Sequence, residues 1–237
     1  MDRIVIHPPG HPLLLGAYIV LSLGLAFLAS AIVLEATGGG LYAGLVSMLV
    51  LLSPALSFVN IVVKEVEGEN ALELGIEYMV IYGLPLPVPR LRYTRRRTLI
   101  AVNVGGAVIP VLVSLILLAL LYPSSGLRLL EASTVSTIVT MIVTFLFSRT
   151  VPGVGIVVPA ILPPMVSSII SVLYLGGGVE AGVAAFTGGA LGSLLGADVL
   201  RLLKDLRRLN APLVSIGGAG VFDGIYLSAI LGFILAY

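Results

Sequence analysis

Seven long apolar runs alternate with polar segments along the chain. They cover approximately residues 12–34, 41–63, 98–122, 131–148, 154–175, 179–201 and 213–236. A helix needs about 20 apolar residues to cross the hydrocarbon core of a bilayer, which is ~30 Å thick, and each run is close to that length. The pattern predicts an all-α membrane protein with about seven transmembrane helices in a single domain over residues 1–237.

One polar segment, residues 64–97, is much longer than the others. Runs of β-branched and aromatic residues at 59–66 and 76–82 flank a short polar stretch, which is typical of a β-hairpin. Three prolines then favour an extended return to the third helix: Pro85, Pro87 and Pro89. We expect a small cytoplasmic hairpin that is either a structural connection, a substrate-docking edge or a lid over a cavity.

Composition supports a membrane location and limits the chemistry. Hydrophobic residues make up 58% of the chain and charged residues 11%, and the mean hydropathy is +1.14. Soluble domains are far less apolar. The chain has no cysteine, which excludes disulfides and thiolate metal sites, and its two histidines, His7 and His11, precede the first helix. We therefore expect no metal or cofactor in the bundle, and the lipid bilayer rather than a nucleic acid as partner.

Basic residues predict the orientation, because Lys and Arg accumulate on the cytoplasmic side of membrane proteins. With seven spans and a cytoplasmic N-terminus, only Arg128 of the 13 basic residues lies outside. The others are all cytoplasmic: Arg3, Lys64, Arg90, Arg92, Arg95, Arg96, Arg97, Arg149, Arg201, Lys204, Arg207 and Arg208. The sequence thus predicts a multi-pass protein of the cell (inner) membrane, with its C-terminus outside.

Polar and helix-breaking residues collect at the cytoplasmic ends of the predicted helices. Asn60, Asn103, Arg149 and Asp198 lie there, as do residues that interrupt the third and fifth runs: Gly105, Gly106, Pro110, Pro152, Pro159, Pro163 and Pro164. Backbone groups freed at membrane depth must bond to neighbours or to water in a cavity. This predicts a broken fifth helix and a hydrated cavity that faces the cytoplasm. Close helix packing is the alternative, and it is the favoured explanation for the glycines of TGGALGSLLG in the sixth run; Gly220 and Gly224 have the same spacing.

The stretch SIGGAGVFDG, residues 215–224, places an aspartate in the last run. A carboxylate near the bilayer centre is costly, so we expect the glycines to enter as non-helical backbone and the helix to start near Val221. Asp223 then lies in the first turn, where the helix dipole favours it. On this interpretation Asp198 and Asp223 face one cavity. Its predicted lining comprises Asn60, Asn103, Pro110, Arg149, Pro159, Gly217, Gly218, Gly220 and Gly224.

Two carboxylates in a low dielectric share a proton and can activate water as acid and base. LGADVLR, residues 195–201, resembles the Gly-x-Gly-Asp-Val-Lys segment of GxGD-class intramembrane aspartyl proteases, with Leu195 and Ala197 in place of the two glycines. Phe222-Asp223 is similar to the Tyr-Asp of presenilins, although here it follows the other aspartate. The resemblance implies a protease-like hydrolase with Asp198 and Asp223 as catalytic pair and a membrane-protein or peptide substrate.

A second resemblance extends over most of the chain. Five segments, in this order, resemble the prokaryotic membrane family catalogued as domain of unknown function 1614: VNIVV at 59, AVNVGGAVIP at 101, SRTVPGVGIVVPAILPP at 148, LGADVLRL at 195 and NAPLVSIGGAGVFDGIYL at 210. This implies a fold shared among bacteria and archaea and assigns no activity.

Two other functions fit the same residues. In a cation- or proton-coupled transporter or channel, Asn103, Asp198, Asp223 and carbonyls freed near Pro110 and Pro159 would form an ion site. In a non-catalytic scaffold, Asp198 would pair with Arg149 or Arg201, and Asp223 would cap its own helix.

Overall fold

Helices make up most of this chain in a computed structural model, which describes residues 4–6, 12–36, 39–81, 84–151, 155–205, 213–218 and 224–237. The α-helices are α1 (Pro12–Ala36), α2 (Leu41–Leu56), α3 (Ile109–Phe147), α4 (Leu162–Leu175), α5 (Val179–Ser193), α6 (Arg201–Asp205) and α7 (Gly224–Ala236). Two π-helical segments adjoin them. The segment π1 (Val104–Val108) leads into α3, and π2 (Leu194–Leu200) joins α5 to α6.

Two sheets lie at the ends of these helices. The strands are β1 (Ile4–Ile6), β2 (Val59–Ile81), β3 (Leu84–Asn103), β4 (Arg149–Val151), β5 (Gly155–Val157) and β6 (Leu213–Ile216). The larger sheet has the order β1-β2-β3-β6, and β6 is parallel to β3 while the other neighbours are antiparallel. Strands β4 and β5 form an antiparallel pair.

The prediction of an all-α chain is therefore correct only for the bundle. Four of the apolar runs contain strand residues: 59–63, 98–103, 155–157 and 213–216. Hydrophobic periodicity alone does not distinguish a short, fully buried strand from a helical turn. These segments are strands because they pair with neighbouring strands, as Ile61 does with Val102 and Ile100 with Val214. The predicted irregular beginning of the fifth run is confirmed, since α4 begins only at Leu162.

The predicted hairpin is present, but its turn was predicted at the wrong place. β2 and β3 pair from Asn60–Asn103 at the bundle to Ile81–Leu84 at the far end. The polar stretch taken for the turn lies inside β2, where the register shifts between Glu67 and Asn70. Both strands are consequently much longer than the runs of residues that predicted them.

Two helical segments among the described residues are long and apolar enough to cross a membrane, Val104–Phe147 with 44 residues and Val179–Asp205 with 27. Shorter apolar helices accompany them at Ile19–Leu34, Leu41–Leu56, Leu162–Leu175 and Gly224–Ala236. The 44-residue segment is interrupted at Gly126, whose backbone (φ 61°, ψ −144°) is not helical. It thus consists of two helices joined by a kink.

Helix α5 is the centre of the bundle, and every residue from Ala181 to Ala190 is buried. Close packing explains its glycines, as predicted. Three glycines face three hydroxyl residues of α3 with the same spacing: Gly188 and Ser136, Gly192 and Thr140, Gly196 and Thr144. A Cβ atom on Gly192 would lie 2.6 Å from Thr140 Cβ, closer than two carbon atoms pack. Thr144 Oγ1 also donates to Gly192 O across the interface (3.1 Å). Small residues therefore allow the backbones of α3 and α5 to approach closely.

Tyr226 connects α7 to the first two helices. Pro54 interrupts α2 and has no N–H to donate to the carbonyl of Val50, four residues earlier. The buried Tyr226 hydroxyl donates to that carbonyl (3.2 Å) and lies 3.3 Å from Ser22 O of α1. A proline-freed carbonyl inside the bundle thus bonds to a side chain of another helix.

Candidate functional site

Asp198 lies in π2 and lines a partly open cavity of about 240 Å³. Its half-buried carboxylate accepts a hydrogen bond from the backbone N–H of Gly217 (2.6 Å from Oδ2). Apolar and small residues form most of the lining: Ile156, Val157, Val158, Ala160, Pro163, Ser193, Ala197, Gly218, Gly224 and Ile225. Among the residues that the structure describes, the site therefore combines one carboxylate with largely hydrophobic walls.

The π-helical winding brings Ser193 to the same cavity. In a π-helix the N–H of residue i+5 bonds to the carbonyl of residue i, so residues five apart lie on nearly the same face. Ser193 precedes Asp198 by five residues, and both line the cavity. In a regular α-helix they would lie about 140° apart. The buried Ser193 hydroxyl also lies 3.4 Å from that of Ser228 in α7. Ser193 could not be identified from the sequence, because no residue pattern marks a π-turn.

Gly217 and Gly218 bring the chain out of β6 to the carboxylate. Both have positive φ, 97° and 101°, which favours glycine, and the predicted non-helical backbone is confirmed for these two residues. A Cβ atom on Gly217 would lie 2.7 Å from both Ala107 Cβ and Ala107 N. Gly217 thus meets both requirements predicted for these glycines, left-handed backbone and close approach.

Asn60 and Asn103 come together in a fully buried hydrogen-bond network at the bundle end of the hairpin. Asn103 Nδ2 donates to Asn60 Oδ1 (3.0 Å) and to Ser57 O (2.5 Å), and Asn103 Oδ1 accepts from Gly106 N (2.8 Å). Ser215 Oγ donates to Asn60 Oδ1 (2.5 Å). These amides bond to one another and do not line the Asp198 cavity. They connect to it through β6, where Ser215 lies two residues before Gly217, and through Gly106, which packs against Gly217.

Carbonyls near Pro110 have internal donors. In a π-helix the N–H of residue 110 would donate to Gly105 O, but Pro110 has no N–H. Ser53 Oγ donates to Gly105 O instead (2.6 Å). Ser114 Oγ donates to Pro110 O (2.8 Å). The buried Pro110 is not part of the cavity lining.

Pro159 lies between Val158 and Ala160, which line the cavity, but is itself exposed and not part of the lining. Its carbonyl accepts from Leu162 N (3.1 Å), a turn that precedes α4. The carbonyls expected to be free at this proline and at Pro110 therefore have donors within the protein.

Arg149 and Arg201 do not pair with Asp198, contrary to one of the expectations. Arg201 Nε lies 3.1 Å from Asp205 Oδ2, four residues later in α6, and Thr150 Oγ1 donates to the same oxygen (2.7 Å). Arg149 is exposed on β4. Asp205, which was not predicted as a site residue, thus joins α6 to the β4–β5 pair.

Asp223 and Gly220 lie outside the described residues, and so does the predicted helix start at Val221; α7 is described from Gly224. Gly218 and Gly224, which precede and follow residues 219–223, both line the Asp198 cavity. Among the described residues, a Cβ atom on Gly224 would meet nothing within 4 Å. The close packing suggested by its spacing from Gly220 stays a prediction, since Gly220 is not among those residues.

Comparison with known proteins identifies a family and assigns no activity. The family model described as Protein of unknown function (DUF1614) matches residues 55–235. Neither a curated protein nor a solved structure matches the chain significantly. The matched region includes the β2–β3 hairpin, the bundle from α3 to α7 and every described residue that lines the Asp198 cavity. Because the match extends over more than half of the chain, this protein belongs to the family of unknown function DUF1614.

Proposed function

We propose that this protein crosses the cell membrane seven times, with its N-terminus in the cytoplasm. A straight 44-residue helix would be about 66 Å long, twice the thickness of a hydrocarbon core, whereas the two parts that Gly126 separates each fit one crossing. Together with α1, α2, α4, the 27-residue segment and α7, they make seven. The 12 basic residues predicted to be cytoplasmic support the orientation.

Contacts between chain segments support the alternating topology. Segments assigned to the cytoplasm meet at one end: β1, β2, β3 and β6 share a sheet, and β4 contacts α6 through Thr150 and Asp205. Segments assigned to the outside also meet. Ser125 Oγ donates to Glu180 (2.5 Å), and Gly178 N donates to Tyr237 O (3.0 Å).

Within this topology we propose an intramembrane aspartyl hydrolase that uses Asp198 and Asp223. One observation carries the proposal: Asp198 and Gly224, the residue bonded to Asp223, line the same cavity. Two carboxyl groups there would share one proton. The ionised group would take a proton from water as its oxygen adds to a peptide carbonyl carbon, and the protonated group would donate to the carbonyl oxygen. Proton transfer to the departing amine would then accompany cleavage of the C–N bond.

The surroundings of Asp198 suit this role. The Gly217 N–H orients one carboxylate oxygen, while Oδ1 has no hydrogen-bond donor within the described part of the chain. Walls of Ile156, Val157 and Ile225 reduce contact with bulk water. In such surroundings a fixed hydrogen bond is worth more than in water.

Cross-linking tests the pairing of the two aspartates. Because the sequence contains no cysteine, only the introduced cysteines can react. A variant with Asp198→Cys and Asp223→Cys should react with a bifunctional thiol reagent that spans about 6 Å, the reach of two carboxyls that share a water. The matched control joins Asp198→Cys to Arg128→Cys, which belongs to the opposite end of the bundle, and should not be cross-linked.

Activity is tested in proteoliposomes with a fluorogenic transmembrane peptide. Asp198→Asn and Asp223→Asn should each abolish cleavage, whereas Glu131→Gln, an exposed acid at the outer end, should not. Absence of the cross-link, or cleavage that survives both Asn variants, would reject the hydrolase.

A cation- or proton-coupled transporter is the second candidate, because Asp198 lies where π2 interrupts a long membrane helix. It ranks below the hydrolase, since the carbonyls near Pro110 and Pro159 already have donors and supply fewer free ligands for an ion. Ion or proton flux in proteoliposomes that Asp198→Asn abolishes, without peptide cleavage, would establish it. A scaffold would show neither activity and would lose stability on the same substitution.

A further inference from the structure

Two cationic side chains at the cytoplasmic end of the bundle have no role in the Asp198 cavity. Arg149 begins β4 and Lys204 lies in α6, and both are exposed. Their immediate neighbours, Thr150 and Asp205, are hydrogen-bonded to each other (2.7 Å). The two cations therefore lie at the same edge of the bundle.

Arg201 is engaged by the nearby acidic group, whereas the two exposed cations are not. Asp205 forms its ion pair with Arg201 (3.1 Å), and within the described residues no acidic side chain pairs with Arg149 or Lys204. Lys204 Nζ instead lies 5.4 Å from the ring centroid of Phe145, within the range of a cation–π contact. The edge thus carries two positive charges without a described counter-ion.

Large exposed apolar side chains are close to these charges in the sequence. Leu146 is 66% exposed, Phe147 56% and Leu203 67%. Each is a sequence neighbour, within three residues, of Arg149 or Lys204. Adjacent basic and apolar groups match the boundary of a bilayer, where headgroups meet acyl chains. A water-soluble anion would use only the charged part of this surface.

From this arrangement we infer that Arg149, Lys204 and Phe145 form a binding site for the anionic headgroup of a phospholipid in the cytoplasmic leaflet. The two cations contact the phosphate, and the ring of Phe145 holds the Lys204 ammonium at headgroup depth. Leu146, Phe147 and Leu203 contact the acyl chains. The inference depends on the membrane topology and is independent of the proposed hydrolysis at Asp198.

Titration with phosphatidylglycerol tests the site in the purified full-length protein. The protein is held in neutral detergent with phosphatidylcholine, and the shift of its thermal unfolding midpoint is measured as phosphatidylglycerol is added. Arg149→Gln and Lys204→Gln should each raise the half-saturating lipid concentration about fivefold. Lys204→Arg, which keeps the charge, should change it little. In phosphatidylcholine alone all variants should unfold at the wild-type temperature, which shows that they fold.

Arg128→Gln is the matched control, because Arg128 is equally exposed but belongs to the opposite end. It should leave the half-saturating concentration unchanged. An equal loss in Arg128→Gln would show general charge attraction and would overturn the site, as would unchanged titrations of the Arg149 and Lys204 variants. Inorganic phosphate should not stabilise the protein at the same concentration, and equal stabilisation by it would reject a lipid in favour of a free anion.

Discussion

Small residues serve opposite purposes in helix α5 and in the Asp198 cavity. In α5, glycines lie against the backbone and hydroxyl groups of α3 and α7 and leave no space for a Cβ atom. Around Asp198, by contrast, Ala197 of π2 and the glycines Gly218 and Gly224 line an open cavity. Glycine and alanine thus permit close packing in one region and leave a cavity in the other. The outcome depends on whether a neighbouring backbone fills the volume that a larger side chain would occupy.

Close packing in α5 holds the irregular site in place. The α3–α5 contact fixes the helix that carries Asp198, because close-packed backbones resist displacement. The cavity, by contrast, leaves open space beside Asp198. Substitutions in the packed region should therefore change stability, and substitutions in the cavity should change function.

Gly192→Ala should have the largest effect on stability. Its new Cβ would lie 2.6 Å from Thr140 Cβ, 2.9 Å from Thr140 Cγ2 and 3.0 Å from Thr137 O, and none of these atoms moves easily because Thr140 is β-branched. Overpacking of this kind costs about 1–3 kcal/mol. Thermal unfolding in detergent, followed by circular dichroism, measures the loss.

Gly44→Ala is the control for that substitution. Gly44 lies in α2, and its added Cβ would meet nothing within 4 Å. Alanine is the better helix former by about 1 kcal/mol, so this variant should be as stable as wild type or slightly more stable. Equal destabilisation by both substitutions would contradict close packing as the role of Gly192.

Gly217→Ala should have an intermediate effect on stability, and it should also disturb the Asp198 cavity. Its positive φ of 97° is strained for alanine, which costs of order 1–3 kcal/mol unless the backbone shifts. A shift would also relieve the approach to Ala107 but would move the N–H away from Asp198. We expect a lower unfolding temperature together with loss of peptide cleavage.

Gly224→Ala separates these two consequences. Gly224 lines the same cavity, and no atom of the described residues lies within 4 Å of its Cβ position, so alanine should narrow the cavity without an unfolding penalty. If it destabilised the protein as much as Gly217→Ala, the cavity would be part of the packed core.

Sequence patterns predicted the parts of this molecule that depend on local chemistry. Predicted membrane depth and hydropathy were enough to select Asp198, Gly217, Gly218 and Gly224 as candidate site residues. An acidic group and flexible backbone are both exceptional in an apolar segment. The Arg201–Asp205 pair was missed although its i,i+4 spacing is visible in the sequence.

Features that depend on register or winding could not be predicted. Asn60 and Asn103 were assigned to one depth, but their mutual bond depends on the pairing of β2 with β3. Ser193 reaches the cavity only because π2 has wider turns than an α-helix. The short strands β1 and β6 were hidden for a related reason, since a few apolar residues specify a strand only when a partner strand is available.

Asp198→Asn should have a small effect on stability and the clearest effect on function. The asparagine side-chain oxygen should accept the Gly217 N–H more weakly than the carboxylate does, whereas the loss of charge removes the cost of holding a carboxylate among apolar walls. The two changes oppose each other, so we expect the free energy of unfolding to change by less than about 1 kcal/mol. Thermal unfolding at constant detergent concentration, beside Gly192→Ala, provides the comparison. A loss as large as that of Gly192→Ala would mean that the carboxylate holds β6 against π2, and Asp198 would then be a structural residue of a scaffold rather than the reactive group of a cavity.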